Sequence, residues 1–258
     1  MSSNSETGHA KNVANLEDLI AYCTGYGTTY NPSRASSKIT ALNTLLTNAQ
    51  ASLLLINQKL PAYTNSVALR EIEYAKLDKL ATRILNAVKA IDLPKQEVEA
   101  VESIYRKLKA KRFKAGAELG KLPNAKTAPD TETGTEPSDE ETKQISISQR
   151  SYDKRIEHFT LLIQQVSSFA TYTPNEADLK VTALNTFLSN LKTLNTAVIS
   201  ATTPLSNARI ARNKILYDPD TGLVAIANDV KAYVKSLFGA KSPEYRQISG
   251  IEFKSRKL

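Results

Sequence analysis

Chemistry in this chain of 258 residues starts with very few reactive side chains: one cysteine, Cys23, and two histidines, His9 and His158. A cysteine nucleophile needs a neighbouring base to take its proton, and a structural zinc needs about four nitrogen or sulfur ligands. Cys and His together cannot supply a zinc site here, and a lone Cys23 reads as a small buried hydrophobe. Glu157-His158 falls on a helical stretch but lacks the E-x-x-H spacing that di-metal bundles use. Gly25-Tyr26-Gly27 has neither the third glycine nor the preceding strand of a phosphate-binding loop, and is expected to end the first helix. His9 lies in a polar N-terminus, Met1 to Ala10, expected to be loose, so no Ser/His/Asp arrangement is readable. The sequence therefore assigns no catalytic residue, no cofactor-binding residue and no metal ligand, and the expectation is a protein that is not an enzyme.

The remaining chemistry is electrostatic. The formal net charge is +8, a balance compatible with anionic partners. Basic residues crowd one stretch, Leu93 to Lys121, with Arg106, Lys107, Lys109, Lys111, Arg112 and Lys114, and recur at the C-terminus as Lys254, Arg256 and Lys257. These nine are the candidate nucleic-acid contacts, reaching phosphate backbones. The competing reading makes them solvated ends, screened by the Pro/Thr/Glu-rich tract that runs from Pro123 to Thr142. That composition cannot bury a core and is expected to be disordered. Stacking platforms for single strands need aromatics, and only Tyr105 and Phe113 stand near, with no tryptophan in the chain.

Self-similarity organises the rest. Lys38-Ile39-Thr40-Ala41-Leu42-Asn43-Thr44-Leu45-Leu46-Thr47-Asn48 returns as Lys180-Val181-Thr182-Ala183-Leu184-Asn185-Thr186-Phe187-Leu188-Ser189-Asn190, eight of eleven pairs identical at an offset of 142. Tyr30-Asn31-Pro32 meets Tyr172-Thr173-Pro174 at the same offset, and so does Ile84 to Ala90 against Ile226 to Ala232. Lys143-Gln144-Ile145-Ser146 matches Arg246-Gln247-Ile248-Ser249 at an offset of only 103, which places an insertion of 39 residues between Ile91 and Thr142. The paired blocks and the closing Tyr245-Arg246-Gln247-Ile248-Ser249 resemble an uncharacterised family of duplicated all-helical bacterial proteins. The resemblance covers most of the chain and implies the fold but no assigned activity and no functional residues.

The elements follow from apolar spacing. Ile39, Leu42, Leu46, Ala49, Leu53, Ile56 and Leu60 alternate steps of three and four, a coiled-coil-like seam. Val181, Leu184, Leu188, Leu191, Asn195, Val198 and Thr202 repeat it, with Asn195 either fixing register or sitting at a frayed edge. A second pair of seams runs Tyr74, Leu77, Ala81, Ile84, Val88, Ile91 and Leu223, Ile226, Val230, Tyr233, Leu237. Pro61 and Pro204 punctuate the links, so that each pair is expected to fold back antiparallel. Shorter helices precede, with stripes Leu16, Leu19, Ile20, Cys23 and Phe159, Leu162, Ile163, Val166. Asp218-Pro219 predicts a break in the last helix of the second copy.

The expectation is an all-α fold of tandem duplicated three-helix up-down bundles. Residues 11–92 form the first bundle and 93–121 an inserted basic helix. Residues 122–142 form a disordered acidic linker and 143–253 the second bundle. The longest strongly apolar run is Leu53 to Ile56, against about 20 residues for a span, so no transmembrane segment is expected. The N-terminus lacks the apolar core of a signal peptide, which points to the cytoplasm. Three functions fit in descending order. The first is a non-enzymatic structural or protein-interaction bundle, with a protein partner or self-association. Its outward Asn43, Thr44, Asn185 and Thr186 form either a pairing surface or plain exposed helix. The second is a basic nucleic-acid-associated protein. The third is a membrane-active bundle.

Overall fold

Few glycines and long three-four alternations give long helices. The structure, a computed structural model, describes residues 4–109 and 138–256. Among the described residues the fold is all-helical. The helices are α1 (Asn4–Gly25), α2 (Ile39–Lys89), α3 (Lys95–Lys109), α4 (Ser138–Ser167), α5 (Val181–Tyr217), α6 (Leu223–Phe238) and α7 (Pro243–Ser249). Short 3-10 turns occupy Gly27–Thr29, Ala35–Ser37 and Ala177–Leu179. Helix α1 stops at Gly25, and Gly27 takes the left-handed backbone (φ 61°) that relieves the turn.

The chain divides into two compact units, Met1–Thr64 with Ala201–Leu258, and Asn65–Ser200. These divisions differ from the boundaries 11–92 and 143–253, because each unit takes residues from both copies of the repeated sequence. In the first unit the predicted stripe Leu16, Leu19, Ile20 and Cys23 on α1 is buried with Leu42 and Ala49 of α2, Leu216 at the end of α5, and Leu223, Ile226 and Val230 of α6. In the second, Phe159, Leu162, Ile163 and Val166 of α4 are buried with Tyr74, Leu77, Ala81, Ile84 and Val88 of α2, Val101 and Leu108 of α3, and Leu184 to Leu191 of α5.

The expected hairpins at Pro61 and Pro204 do not form. Both prolines lie inside continuous helices, α2 and α5. An interior proline removes one hydrogen bond and costs about 3 kcal/mol. Here both prolines lie on exposed faces, as do Asn57 and Ser200, whose carbonyls lose their helical donor and meet water instead. In the first unit, Ile56 and Tyr63 of α2 pack on Leu205 and Ala208 of α5 beside both prolines. That burial rewards helices that carry on rather than turn back. Two further expectations change: the N-terminus is helical from Asn4, and α4 begins at Ser138, inside the tract expected to be disordered. Residues 122–137 of that tract, and 110–121 of the inserted basic helix, lie outside the described residues.

Several local devices recur 142 residues apart. The buried Tyr30 hydroxyl donates to the Ser37 carbonyl at 2.7 Å, and the Tyr172 hydroxyl to the Leu179 carbonyl at 3.1 Å. Each bond staples the loop before a long helix to the turn that starts it. The Leu42 N–H to Lys38 carbonyl and the Leu184 N–H to Lys180 carbonyl bonds, both 3.0 Å, open the two helices alike. The loop of each copy also carries an ion pair to a helix of the other: Arg34 to Asp229 in the first unit, Arg83 to Asp178 in the second.

The break after α5 is built by Asp218. Its carboxylate accepts from the Asp220 N–H, the Thr221 N–H and the Thr221 hydroxyl at 2.8–3.1 Å. The Thr221 and Asp220 donors hold that carboxyl below its usual range. The turn closes so tightly that a Cβ on Gly222 would lie 2.5 Å from the Asp218 backbone N and O. Gly222→Ala is therefore expected to destabilise the protein by about 1–3 kcal/mol, the usual cost of an overpacked site, as read by chemical denaturation followed by circular dichroism.

Candidate functional site

The densest polar chemistry in the described residues is a cluster inside the second unit that the sequence reading missed. Arg70, Tyr74 and Asp78 stand one turn apart on α2, so they share a face. Helix α4 supplies Tyr152, Asp153 and Arg155, and α5 supplies Asn195. Arg70 is only 4% exposed, and its guanidinium carbon lies 3.8 Å from the centroid of the Tyr152 ring. Tyr152 meets Tyr74 edge-on, with centroids 4.6 Å apart and planes at 80°. Arg155 caps the other side, 5.6 Å from the Tyr74 ring. The order is thus cation, ring, ring, cation, in which each guanidinium faces an aromatic quadrupole.

Hydrogen bonds lock this stack to the backbone and to two carboxylates. Arg155 donates to Asp78 at 2.7 Å and to the Tyr74 carbonyl at 3.3 Å. Asn195 accepts from Arg70 at 3.0 Å and donates to Asp153 at 2.6 Å. Asn195 is 4% exposed, so it is a buried connector and not a frayed edge, a role buried asparagines fill when they set register. Burial pushes the Tyr74 hydroxyl's pKa up, which keeps it protonated, yet that hydroxyl has no hydrogen-bond partner. The ties between α2, α4 and α5 come instead from the two guanidiniums and from Asn195, while the Tyr74 donor goes unused.

A signal for this cluster existed in the sequence. Arg70 falls four residues before Tyr74, on the extension of the α2 seam, and Arg212 occupies the position 142 further on. Both arginines are buried to the same 4% exposure. In the first unit Arg212 donates to the Asn213 side chain from Nε at 3.1 Å and Nη2 at 2.8 Å. A long cation recurring at a seam position in both copies marks a site where charge is deliberately buried.

Of the few reactive side chains, Cys23 and His9 are tied into packing, while His158 on α4 is half-buried with an Nδ1 that has no hydrogen-bond partner. Cys23 is buried, and burial raises its thiol to about 11 against a smaller opposing hydrogen bond from Tyr30. His9, expected in a loose N-terminus, is fully buried on α1 of the first unit. Its Nδ1 lies 2.6 Å from the Tyr217 hydroxyl and its Nε2 3.4 Å from the Arg256 guanidinium. Next to it, Asn12 clamps the C-terminal segment, donating to the Lys254 carbonyl at 2.9 Å and accepting from the Lys254 N–H at 3.0 Å. Glu157 pairs with Lys154 at 2.7 Å, and the described residues hold no group of three potential metal ligands.

The nine basic candidates are divided among the two units and the residues outside the described ones. Arg106 pairs with Glu102 at 3.3 Å, Lys109 lies 5.4 Å over the Tyr105 ring, and Lys107 is exposed, all at the end of α3 in the second unit. Lys254 and Arg256 belong to the first unit, the former held through its backbone and the latter beside His9. Lys111, Arg112, Lys114 and Lys257 lie outside the described residues. Comparison with protein-family models, with curated proteins and with solved structures gives no match to this chain.

The cluster makes two opposite substitutions diagnostic. Tyr74→Phe removes an unpartnered buried hydroxyl and is expected to leave stability unchanged or raise it by up to about 1 kcal/mol. Asn195→Ala removes two bonds and is expected to cost about 1–3 kcal/mol. Urea unfolding midpoints of the two variants, compared with the parent, check the pair.

Proposed function

We propose that this chain is a non-enzymatic helical scaffold that works by docking its outward helix faces onto protein, foremost a second copy of itself. In this reading it is a duplicated unit of short and long helices, and the copies have exchanged their second halves to complete two bundles. The observation that carries the docking reading is α2. An 18-residue stretch of this helix has a mean hydropathy of 1.3, yet only 22% of it is buried. Leu54 and Leu55 of the first unit are 57% and 40% exposed, and Leu69 and Ile72 of the second are 56% and 59% exposed. Ala51, Leu55 and Gln58, and again Leu69, Ile72 and Lys76, step by four and three on faces opposite the cores, the spacing of a helix–helix seam.

Asn43, Thr44, Asn185 and Thr186 are all exposed. Thr44, Asn185 and Thr186 donate back to carbonyls one turn earlier, which leaves the apolar faces as the stronger docking feature. By length and composition α2 also qualifies as a membrane span, which qualifies the expectation of none. Gln58, Asn65 and Lys76 interrupt its outer face and favour a protein partner over lipid.

Light scattering after size-exclusion chromatography tests this across concentration, at low and high salt, with and without a short nucleic acid. The parent is expected above the 28.3 kDa of one chain. Leu69→Glu with Ile72→Glu is expected to return it to one chain, because burying each leucine-sized side chain contributes about 1.5–3 kcal/mol. A single-chain mass at every concentration overturns the reading. A complex with nucleic acid that dissolves at high salt would favour the basic residues instead, and leakage of lipid vesicles would favour the membrane.

A further inference from the structure

The second unit contains a cleft of about 480 Å³ that shares only Lys76 with the proposed docking face, within the ~300–1,000 Å³ usual for small-molecule sites. One wall is α2, where Lys76, Lys79, Leu80 and Arg83 fall on a single face. The other is the turn at Asp178 and the first turns of α5, with Ala183 and Phe187. From these we infer a binding site for a small amphipathic carboxylate, an apolar chain or ring ending in one carboxylate group.

The apolar floor is fixed in advance. Phe187 packs edge-on against Phe159, with centroids 5.8 Å apart and planes at 84°, and Phe159 is fully buried. Leu80 and Phe187 both rest on the core of the unit. A ligand therefore meets a surface that needs no reorganisation, which lowers the cost of binding.

Charge at the rim selects the head group. The two acidic residues of the cleft are already engaged: Glu73 holds Lys76 at 2.6 Å, and Asp178 holds Arg83. The paired cations keep their geometry, and Lys79 stands exposed at the mouth with no acidic partner among the described residues. The rim thus carries one cation in excess, Lys76, Lys79 and Arg83 against Glu73 and Asp178. The first turn of α5 reaches the cleft at Ala183, so the positive end of that helix's dipole adds to the same sign of charge. A carboxylate is complementary to this rim, a cationic head group is repelled, and a neutral one gains only the floor.

The test uses the full chain and three probes with ten-carbon chains, each below its micelle or solubility limit: decanoate, 1-decanol and decyltrimethylammonium. Binding is followed by ligand-observed NMR and titration calorimetry. Decanoate is expected to bind about tenfold or more tightly than decanol, a difference on the scale of one charge-assisted hydrogen bond, and the ammonium probe least of all. Lys79→Glu is expected to remove the preference for decanoate while leaving decanol unchanged, and Ala183→Trp, which fills the floor, to weaken both. Circular dichroism spectra matching the parent's confirm that each variant folds. Equal affinity for decanoate and decanol, no effect of Lys79→Glu, no effect of Ala183→Trp, or no binding of decanoate at all would each overturn the site. None of these outcomes bears on self-association, which is read separately by mass.

Discussion

The apolar stripe of α1 is covered only in part by the chain that follows it directly, and the first unit is built around that constraint. Leu16, Leu19, Ile20 and Cys23 share a core with Leu42 and Ala49 of α2, and Leu216 and the α6 stripe from Leu223 to Val234 complete it. The contacts that tie α1 down, His9 to Tyr217 and Asn12 to Lys254, span more than 200 positions of sequence. Burial of this kind is non-directional, so polar groups must decide which surface is the right one. Asn12 does so through paired bonds to the backbone of one residue, Lys254, and Lys231 adds a second tie by donating to the Ser249 and Ile251 carbonyls.

In the second unit the same problem is solved with cations. A buried guanidinium loses its water and is tolerated only where other groups replace that hydration. Tyr152 and Tyr74 do this with ring faces, and Asn195, Asp153 and Asp78 with oxygen atoms. Such a layer rewards one alignment of α2, α4 and α5 and penalises every slip along the seam. An all-leucine seam would pack in several registers, so a charged layer between apolar ones is a way of choosing among them. Arg212, at the matching place in the first unit, is buried to the same degree and donates to Asn213 beside it on the same helix.

Helix type and core faces were legible in the sequence because they depend on local spacing. The stripes of α1 and α4, most of the seam positions of α2, α5 and α6, and the break at Asp218 fall where the three-four alternation and the Asp-Pro pair put them. Leu60 and Leu237 of the expected seams are instead exposed, and Val234 is buried in place of Leu237. The path of the chain was not legible, since Pro61 and Pro204 are local signals for a turn that tertiary packing overrides. Ile56 and Tyr63 on Leu205 and Ala208 outweigh them, and that contact is invisible in any window of sequence. Arg70 escaped notice for a related reason. A charged residue on a seam looks like the edge of a core until the ring that covers it, Tyr152 on another helix, is known. His9 was misplaced because a short polar prefix carries no periodicity of its own, whereas its burial comes from Tyr217 at the far end of the chain.

The composition of the first unit also fixes the order in which the molecule can be completed. Residues 65–200 form a unit from one unbroken stretch, whereas Met1–Thr64 must wait for Ala201–Leu258. During synthesis on the ribosome, the chain's first helix leaves the exit tunnel long before its partners are made. It spends that interval with an apolar stripe only partly covered, in a class of topology where distant closure slows folding. On a polysome, the same stripe on a neighbouring nascent chain competes for each newly finished C-terminal half. Exchange between chains then uses the contacts that each chain makes with itself, and protein concentration at the site of synthesis becomes a determinant of which product forms.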